Sequence, residues 1–199
     1  MSQASPYTRK VRIVAIEKHI ELELIEDSPS SPDTHVPEYN PLGKIPVLIM
    51  DDGETLYDSR VIVEFLDYRT PVHRILSQDH NLRIAARQWE ALADGVCDAA
   101  VLELVESRRP LEQQSEAWKI RQHQKVERGL QMMSKQLAEN VWCVDDEFGL
   151  ADIAVGCVLG FLDLRFKELD WRKQYPNLGK FYLTLMKRES FKKTAPAAV

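Results

Sequence analysis

Asp58 and Ser59 form the pair whose types and spacing most directly suggest binding chemistry. Four apolar residues follow them at helical spacing, namely Val61, Ile62, Phe65 and Leu66. This spacing places the pair on the first turn of a helix, where free backbone N–H groups and the helix dipole favour anions. Ser59 could therefore hold a carboxylate while Asp58 takes an ammonium group, so that together they would bind the amino-acid end of a ligand.

The preceding stretch, residues 39–50, indicates that this ligand is peptide-like. Pro46 can open a strand over the apolar run 47–50 but cannot sit inside one. If the bond between Ile45 and Pro46 is cis, the backbone N–H and C=O of Ile45 turn outward, where an extended peptide can pair with them. Lys44 could meet a second carboxylate. Singly, these features more often mean a strand-opening proline and an ordinary N-cap, and their joint spacing is what favours a binding site.

Residues 40–48, with the sequence NPLGKIPVL, followed by Asp58-Ser59, resemble the glutathione-binding half of the cytosolic glutathione transferases. The resemblance is to bacterial, serine-type members similar to the theta and zeta classes. In that family the residue before a cis-proline pairs with the cysteinyl backbone of glutathione, and an acidic-Ser pair holds the γ-glutamyl end. The resemblance implies glutathione as co-substrate and a set of glutathione-binding residues: Lys44, Ile45, Pro46, Asp58 and Ser59.

The sequence Ser-Pro-Tyr-Thr, which begins at Ser5, predicts a second helix start. The simplest role of Ser5 is N-cap of the helix that follows. The stretch also has the frame of the Cys-Pro-Tyr-Cys motif of glutaredoxins with hydroxyls in place of both thiols, so it cannot cycle a disulfide of its own. A hydroxyl there can instead donate a hydrogen bond to a thiolate supplied by the ligand, which lowers the pKa of the thiol. By resemblance to the serine-type transferases, Ser5 is the catalytic residue.

The neighbours of Ser5 have weaker assignments. Ser2 is the nearest alternative as the donor to the thiolate, and Tyr7 could stack at the mouth of the site. Arg9 and Lys10 are expected to be solvated.

The composition narrows the possible functions. Lys and Arg total 26 against 31 Asp and Glu, which gives a net charge of −5 without a basic block, so nucleic acid is not an expected partner. The longest apolar segment, near residues 153–162, is too short to span a bilayer, and we expect a cytoplasmic protein with no membrane partner. The three cysteines are odd in number and lack CxxC spacing, which argues against a metal site or a disulfide framework.

The patterns predict an α/β half followed by an all-helical bundle, and the resemblance gives the first half a thioredoxin-like fold. Alternating apolar and acidic residues over 21–27 predict a strand, and the apolar run at 47–50 with the Asp52-Gly53 turn predicts a hairpin. We expect a glutathione-binding domain at 1–70, a linker at 71–78 and a helical domain at 79–199 that forms the electrophile site.

Only four residues, Met1 to Ala4, stand before Ser5, and they are too few for the strand that precedes the catalytic Ser in the family. We therefore expect either a truncated start, which we favour, or a vestigial first strand. In the helical half, three long helices are predicted: one from about Asp79 to Arg108, one over 118–137, and a third that is apolar nearly all round and forms the centre of the bundle. The third begins at the family's capping motif, but with Gly149 where a Ser or Thr normally stands. The loss of that cap should cost from a few tenths to about 1 kcal/mol.

The family places its electrophile in a cleft lined by the first long helix of the second domain. Besides Tyr7, the weak candidates on that helix are Trp89, Asp94, Cys97, Asp98 and Val101. Trp89 and Cys97 could equally be core residues, and Asp94 and Asp98 could equally be solvated. The resemblance also implies a homodimer.

The function expected from these residues is a glutathione transferase whose activated thiolate attacks a small electrophile. The alternatives are a glutathione-dependent disulfide reductase, peroxidase or isomerase, since the same thiolate can attack sulfur, oxygen or carbon. A non-catalytic, transferase-like binding module is a third possibility.

Overall fold

The computed structural model describes residues 2–196, so that Met1 and residues 197–199, which the predicted domain limits include, lie outside the described residues. Its elements in chain order are α1 (Pro6–Glu17), α2 (Val36–Tyr39), β1 (Val47–Ile49), β2 (Thr55–Tyr57), α3 (Ser59–Arg69), α4 (His80–Ser107), a 3-10 helix (Leu111–Gln113), α5 (Glu116–Leu137), α6 (Leu150–Arg165), α7 (Trp171–Gln174), α8 (Pro176–Leu185) and α9 (Glu189–Lys193). The predicted order of an α/β half and a helical bundle is confirmed.

Strands β1 and β2 form an antiparallel hairpin, in which Val47 lies opposite Tyr57. Gly53 turns the chain between them with a φ of +85°, a conformation that favours glycine. The hairpin predicted from the Asp-Gly pair is therefore confirmed, and its second strand leads directly into α3.

The predicted strand over residues 21–27 is wrong, because the described chain has no regular secondary structure there. Its apolar residues do not form a buried face, and Leu24 is 45 % exposed. A strand is held by pairing with the backbone of a neighbour. Apolar-acidic alternation alone did not suffice to make a strand.

The residues ahead of α1, where the family has its first strand, form a turn at Gln3 and Ala4. In this turn the N–H of Ser5 donates to the C=O of Ser2 at 3.2 Å.

Helix α1 packs against both α3 and α6 and carries charged residues into the interior. Arg9 and Lys10 were expected to be solvated, and this prediction is wrong because both are buried. The guanidinium of Arg9 donates to the C=O of Phe191 at 3.3 Å and lies 5.4 Å from the centroid of its ring, which fastens α9 onto α1. At the other end of α1, the buried ammonium of Lys18 lies 3.0 Å from Asp67 of α3.

The three long helices of the bundle are close to their predicted limits. Asp79 caps α4 by accepting hydrogen bonds from the N–H groups of Asn81 and Leu82, at 2.9 and 3.0 Å. Helix α6 is the buried centre, as predicted, since every residue from 150 to 162 is buried. Both α4 and α1 pack against it.

Gly149 stands at the start of α6 and leaves it without a side-chain cap. Asp152 accepts the N–H of Gly149 at 2.8 Å and that of Cys143 at 2.8 Å, so its carboxylate satisfies two backbone donors. A Cβ at position 149 would lie 2.9 Å from the carbonyl oxygen of Ile75, which accepts the N–H of Leu150 at 3.0 Å. This close approach of two backbones explains the glycine.

The cysteines are free, and Cys97 and Cys157 are buried. Over residues 2–196, no helix combines the length and apolarity needed to cross a membrane. The same part of the chain contains no group of His, Cys, Asp and Glu side chains placed to hold a metal ion.

Candidate functional site

Ser5 is the N-cap of α1. Its Oγ accepts a hydrogen bond from the N–H of Thr8 at 3.2 Å, and the residue is half-buried. This bond uses a lone pair of the hydroxyl and leaves its proton free to be donated. The two roles considered for Ser5, cap and donor, are therefore compatible. Ser2 lies outside α1, and its backbone C=O accepts the N–H of Ser5.

Asn40 shapes the loop that precedes β1. Its buried side chain accepts the N–H of Leu42 at 3.0 Å and donates to the C=O of Lys44 at 2.8 Å, which closes the loop on both sides. The peptide bond between Ile45 and Pro46 is cis. The backbone N–H and C=O of Ile45 make no hydrogen bond to any other described residue, so both remain available to an extended ligand. The side chain of Lys44 is exposed.

Asp58 and Ser59 lie where α3 begins. Asp58 is the N-cap, with a φ of +66° that is uncommon for a non-glycine residue, and its Oδ1 accepts the N–H of Arg60 at 2.9 Å. The guanidinium of Arg60 also donates to both carboxylate oxygens, at 3.0 and 2.7 Å. These bonds lower the pKa of Asp58 to about 2. Ser59 is the first helical residue and is buried.

A buried ion-pair cluster connects this helix start with α1 and α4. The ammonium of Lys10, whose side chain is 1 % exposed, lies 2.9 Å from Glu90 and 2.9 Å from both oxygens of Asp94. Glu90 is also paired with Arg87 at 2.7 Å. Arg60 approaches Asp94 to 4.0 Å and so joins the Asp58 carboxylate to the cluster. Burial raises the pKa of Asp94 although Lys10 opposes this shift.

Tyr7 bridges α1 and α4 because its hydroxyl donates a short hydrogen bond to Asp98. Burial raises the pKa of Tyr7, and the neighbouring Cys97 and Asp98 raise it further. The phenol is thus a neutral donor whose proton is already engaged.

The structure separates the remaining cleft candidates. Trp89 and Cys97 are buried in the hydrophobic core, which leaves them little surface for a ligand, whereas Val101 is half-buried and Asp98 exposed. A cavity of about 200 Å³ lies elsewhere, between the linker and the start of α6, and its lining includes none of the predicted site residues.

Sequence reasoning missed Lys10, Glu90 and Arg60. Arg60 had one local signal, since a cation on the first turn opposes the helix dipole and implies a nearby anion. Lys10 and Glu90 are 80 residues apart, so no local spacing could connect them.

Sequence models of two domains match this chain. The "Glutathione S-transferase, N-terminal domain" matches residues 4–69, and the "Glutathione S-transferase, C-terminal domain" matches residues 100–182. The uncharacterized GST-like protein YibF of Escherichia coli K12 is 37 % identical over 195 residues, covering 98 % of this chain and 96 % of YibF. The chain therefore belongs to the glutathione S-transferase family, with a thioredoxin-like N-terminal domain and a helical C-terminal domain.

Two solved structures are similar over nearly their whole length. A glutathione S-transferase from Methylobacillus flagellatus KT, with glutathione bound, is 56 % identical with a TM-score of 0.97, covering 99 % of this chain and 98 % of the other. A glutathione S-transferase from Methylobacterium radiotolerans, in complex with glutathione sulfonate, is 41 % identical with a TM-score of 0.96, covering 100 % and 94 %.

Proposed function

We propose that this protein is a glutathione transferase in which Ser5 stabilises the glutathione thiolate for attack on a small electrophile. The observation that carries the proposal is the contrast between two hydroxyls at the start of α1. Ser5 receives a hydrogen bond from Thr8 and keeps a free proton, whereas Tyr7 has committed its proton to Asp98. Of the two, Ser5 is the group able to donate to a thiolate, and a donated hydrogen bond stabilises the charged form.

Glutathione lies along the starts of β1 and α3 in this proposal. The backbone of Ile45, next to Pro46, pairs with the cysteinyl unit, and Lys44 meets the glycine carboxylate. Asp58 and Ser59 hold the γ-glutamyl end. Two features support this arrangement: the backbone of Ile45, which makes no hydrogen bond to any other described residue, and the exposed ammonium of Lys44. The glutathione bound to the 56 % identical Methylobacillus flagellatus protein supports it as well.

The proposal retains residues 1–70 as the glutathione-binding domain and 79–199 as the domain that completes the electrophile site. It also includes a cytoplasmic homodimer. The dimer predicts a mass near twice 22.9 kDa by light scattering at micromolar concentration, and the monomer mass would contradict it.

Three substitutions at one position test the role of Ser5. Ser5→Ala removes both the cap and the hydroxyl, Ser5→Gly removes the hydroxyl at a capping cost of only a few tenths of a kcal/mol, and Ser5→Thr retains both. We expect Ala and Gly to lower kcat/KM by roughly tenfold to a thousandfold, from about 1.5–3 kcal/mol for a charge-assisted bond. Thr should stay within about tenfold of wild type.

The thiol pKa of bound glutathione, followed by thiolate absorbance, should rise in the Ala and Gly variants while glutathione affinity is retained. Unchanged turnover and thiol pKa in both variants would exclude Ser5 as the donor. Turnover of a benzylic chloride but not of a mixed disulfide distinguishes the transferase from a disulfide reductase, and an absence of both activities with intact binding would indicate a binding module.

A further inference from the structure

The contact between Tyr7 and Asp98 brings the carboxylate of Asp98 to the start of α1. Tyr7 is two residues after Ser5, and its hydroxyl donates to Oδ1 of Asp98 on α4. In the proposed function α4 lines the electrophile site, and the contact with Tyr7 places Asp98 on the part of α4 that faces the start of α1.

The carboxylate of Asp98 has no ion-pair partner among residues 2–196, unlike the neighbouring acidic residues of the buried cluster. Asp94 is matched by Lys10, Asp58 by Arg60, and Glu90 by Lys10 and Arg87. Across residues 2–196, Asp98 forms no ion pair, and its one side-chain hydrogen bond is the one it accepts from the phenol of Tyr7. It is also exposed. A ligand beside Asp98 would face a carboxylate that no described cation pairs with.

The surface of α4 becomes apolar one turn beyond Asp98. Val101 is half-buried, while Leu102 and Val105 are 43 % and 53 % exposed. Residues three, four and seven positions after Asp98 lie on the same side of a helix. The face therefore presents a carboxylate followed by an apolar strip.

We infer that the electrophile site selects substrates carrying a positive charge beside an apolar group and disfavours carboxylates of the same shape, with Asp98 as the residue that determines this specificity. The inference rests on the proposed function. An uncompensated charge at the mouth of a site attracts ligands of the opposite sign and repels those of the same sign.

Three para-substituted benzyl chlorides would test this selectivity: the neutral 4-(chloromethyl)benzamide, the anionic 4-(chloromethyl)benzoate, and a cation bearing a trimethylammoniomethyl group. In each, the glutathione thiolate forms the bond from sulfur to the benzylic carbon while the C–Cl bond breaks and chloride leaves with the electron pair. The thiol proton goes to solvent. The ring supplies the apolar group, and only the para substituent changes in charge.

The measured quantity is kcat/KM for the cation divided by that for the anion, each corrected for the spontaneous reaction with glutathione. At low ionic strength, a charge placed about 8 Å from Asp98 should give about a fivefold preference for the cation at nearly the dielectric constant of water, and added salt should reduce it. Asp98→Asn, which keeps an oxygen for Tyr7, should lower this ratio by about fivefold. Asp146→Asn, which removes an exposed carboxylate from the loop before α6, should leave it within twofold of wild type.

Tyr7→Phe gives a second measurement, since it removes the hydrogen bond but retains the charge, and the preference for the cation should persist. Equal rates for cation and anion in wild type, or a ratio in Asp98→Asn within twofold of wild type, overturn the inference while Ser5-dependent turnover of the neutral amide would still support the transferase. If the neutral amide shows no Ser5-dependent turnover, the proposed function fails and this inference fails with it.

Discussion

Gly149 offers the sharpest test of packing, because sequence pattern and structure predict opposite effects of the same substitution. In the family's capping motif a Ser or Thr stands at this position, and a Ser cap is worth about 1 kcal/mol relative to Ala. On that basis alone, Gly149→Ser would stabilise α6. The structure predicts the reverse, since an added Cβ would lie 2.9 Å from the carbonyl oxygen of Ile75, well inside an ordinary van der Waals contact.

The magnitude follows from what must move. Ile75 contributes a backbone carbonyl, which cannot turn aside as a flexible side chain would, and it also holds the N–H of Leu150 at 3.0 Å. Overpacking costs about 1–3 kcal/mol, and weakening a hydrogen bond costs about 1 kcal/mol. We therefore expect Gly149→Ala to lower the free energy of unfolding by about 2 kcal/mol, or Tm by about 4–8 °C for a chain of this size. Gly149→Ser should lose about 1 kcal/mol less, because its hydroxyl can cap the helix.

The assay is urea unfolding followed by circular dichroism, together with a thermal melt. Gly95→Ala is the matched control, since Gly95 lies within α4 and an added Cβ there would meet no described atom within 4 Å apart from its chain neighbours and the backbone of its own helix. That substitution should stabilise the protein by roughly 0.5–1 kcal/mol. If Gly149→Ala were as stable as wild type, or Gly149→Ser more stable, the close approach to Ile75 would not be the reason for the glycine.

Three further predictions concern charged groups. Asp58→Ala and Ser59→Ala should weaken glutathione binding in calorimetry, and Asp58→Asn, which retains a capping oxygen, should weaken it with little loss of stability. Wild-type affinity in all three variants would exclude the start of α3 as the binding site of the γ-glutamyl end. Lys10→Met should destabilise by roughly 3–5 kcal/mol, because it leaves the buried Glu90 with Arg87 alone and leaves Asp94 with Arg60 alone, 4.0 Å away. The exposed Lys180→Met should change stability by less than about 0.5 kcal/mol, and similar melts for the two variants would contradict the buried cluster. Burial raises the pKa of Asp152 to about 6, above roughly 3.9 in an unfolded chain, so protonation favours the folded state. This carboxyl should therefore add roughly 1–3 kcal/mol of stability as pH falls from about 7 to 4. If the difference in unfolding free energy between wild type and Asp152→Asn does not change with pH, the shift is refuted.

The predictions that succeeded rest on short-range patterns. Apolar residues three and four apart predicted the long helices, and the continuous apolar run predicted that α6 is the buried centre. Each of these patterns lies entirely within the one helix that it predicts. The predicted strand over residues 21–27 is wrong, and the apolar-acidic pattern within the segment carried no information on the neighbouring backbone with which a strand must pair.

The prediction that the charged residues Arg9 and Lys10 of α1 are solvated was wrong for a related reason. A sequence shows that Lys10 is basic but not that two carboxylates from a helix 80 residues later surround it. Without those partners the free energy of burying an ammonium is prohibitive, so solvation was the reasonable expectation. The same limit applied to Ser5 and Tyr7, since only the structure reveals which hydroxyl proton is engaged.

Asp58 illustrates what the structure adds even where the sequence identified the residue. A carboxylate has about four lone-pair positions. Oδ1 accepts both the N–H and the Nε–H of Arg60, and Oδ2 accepts one Nη2–H, which leaves roughly one position, on Oδ2, for another donor. An ammonium group can therefore bind beside Arg60 without displacing it. The pKa of about 2, which Arg60 produces, keeps the carboxylate ionised in mildly acidic solution as well as at neutral pH. In the proposed function Arg60 thus leaves Asp58 roughly one position for the γ-glutamyl ammonium.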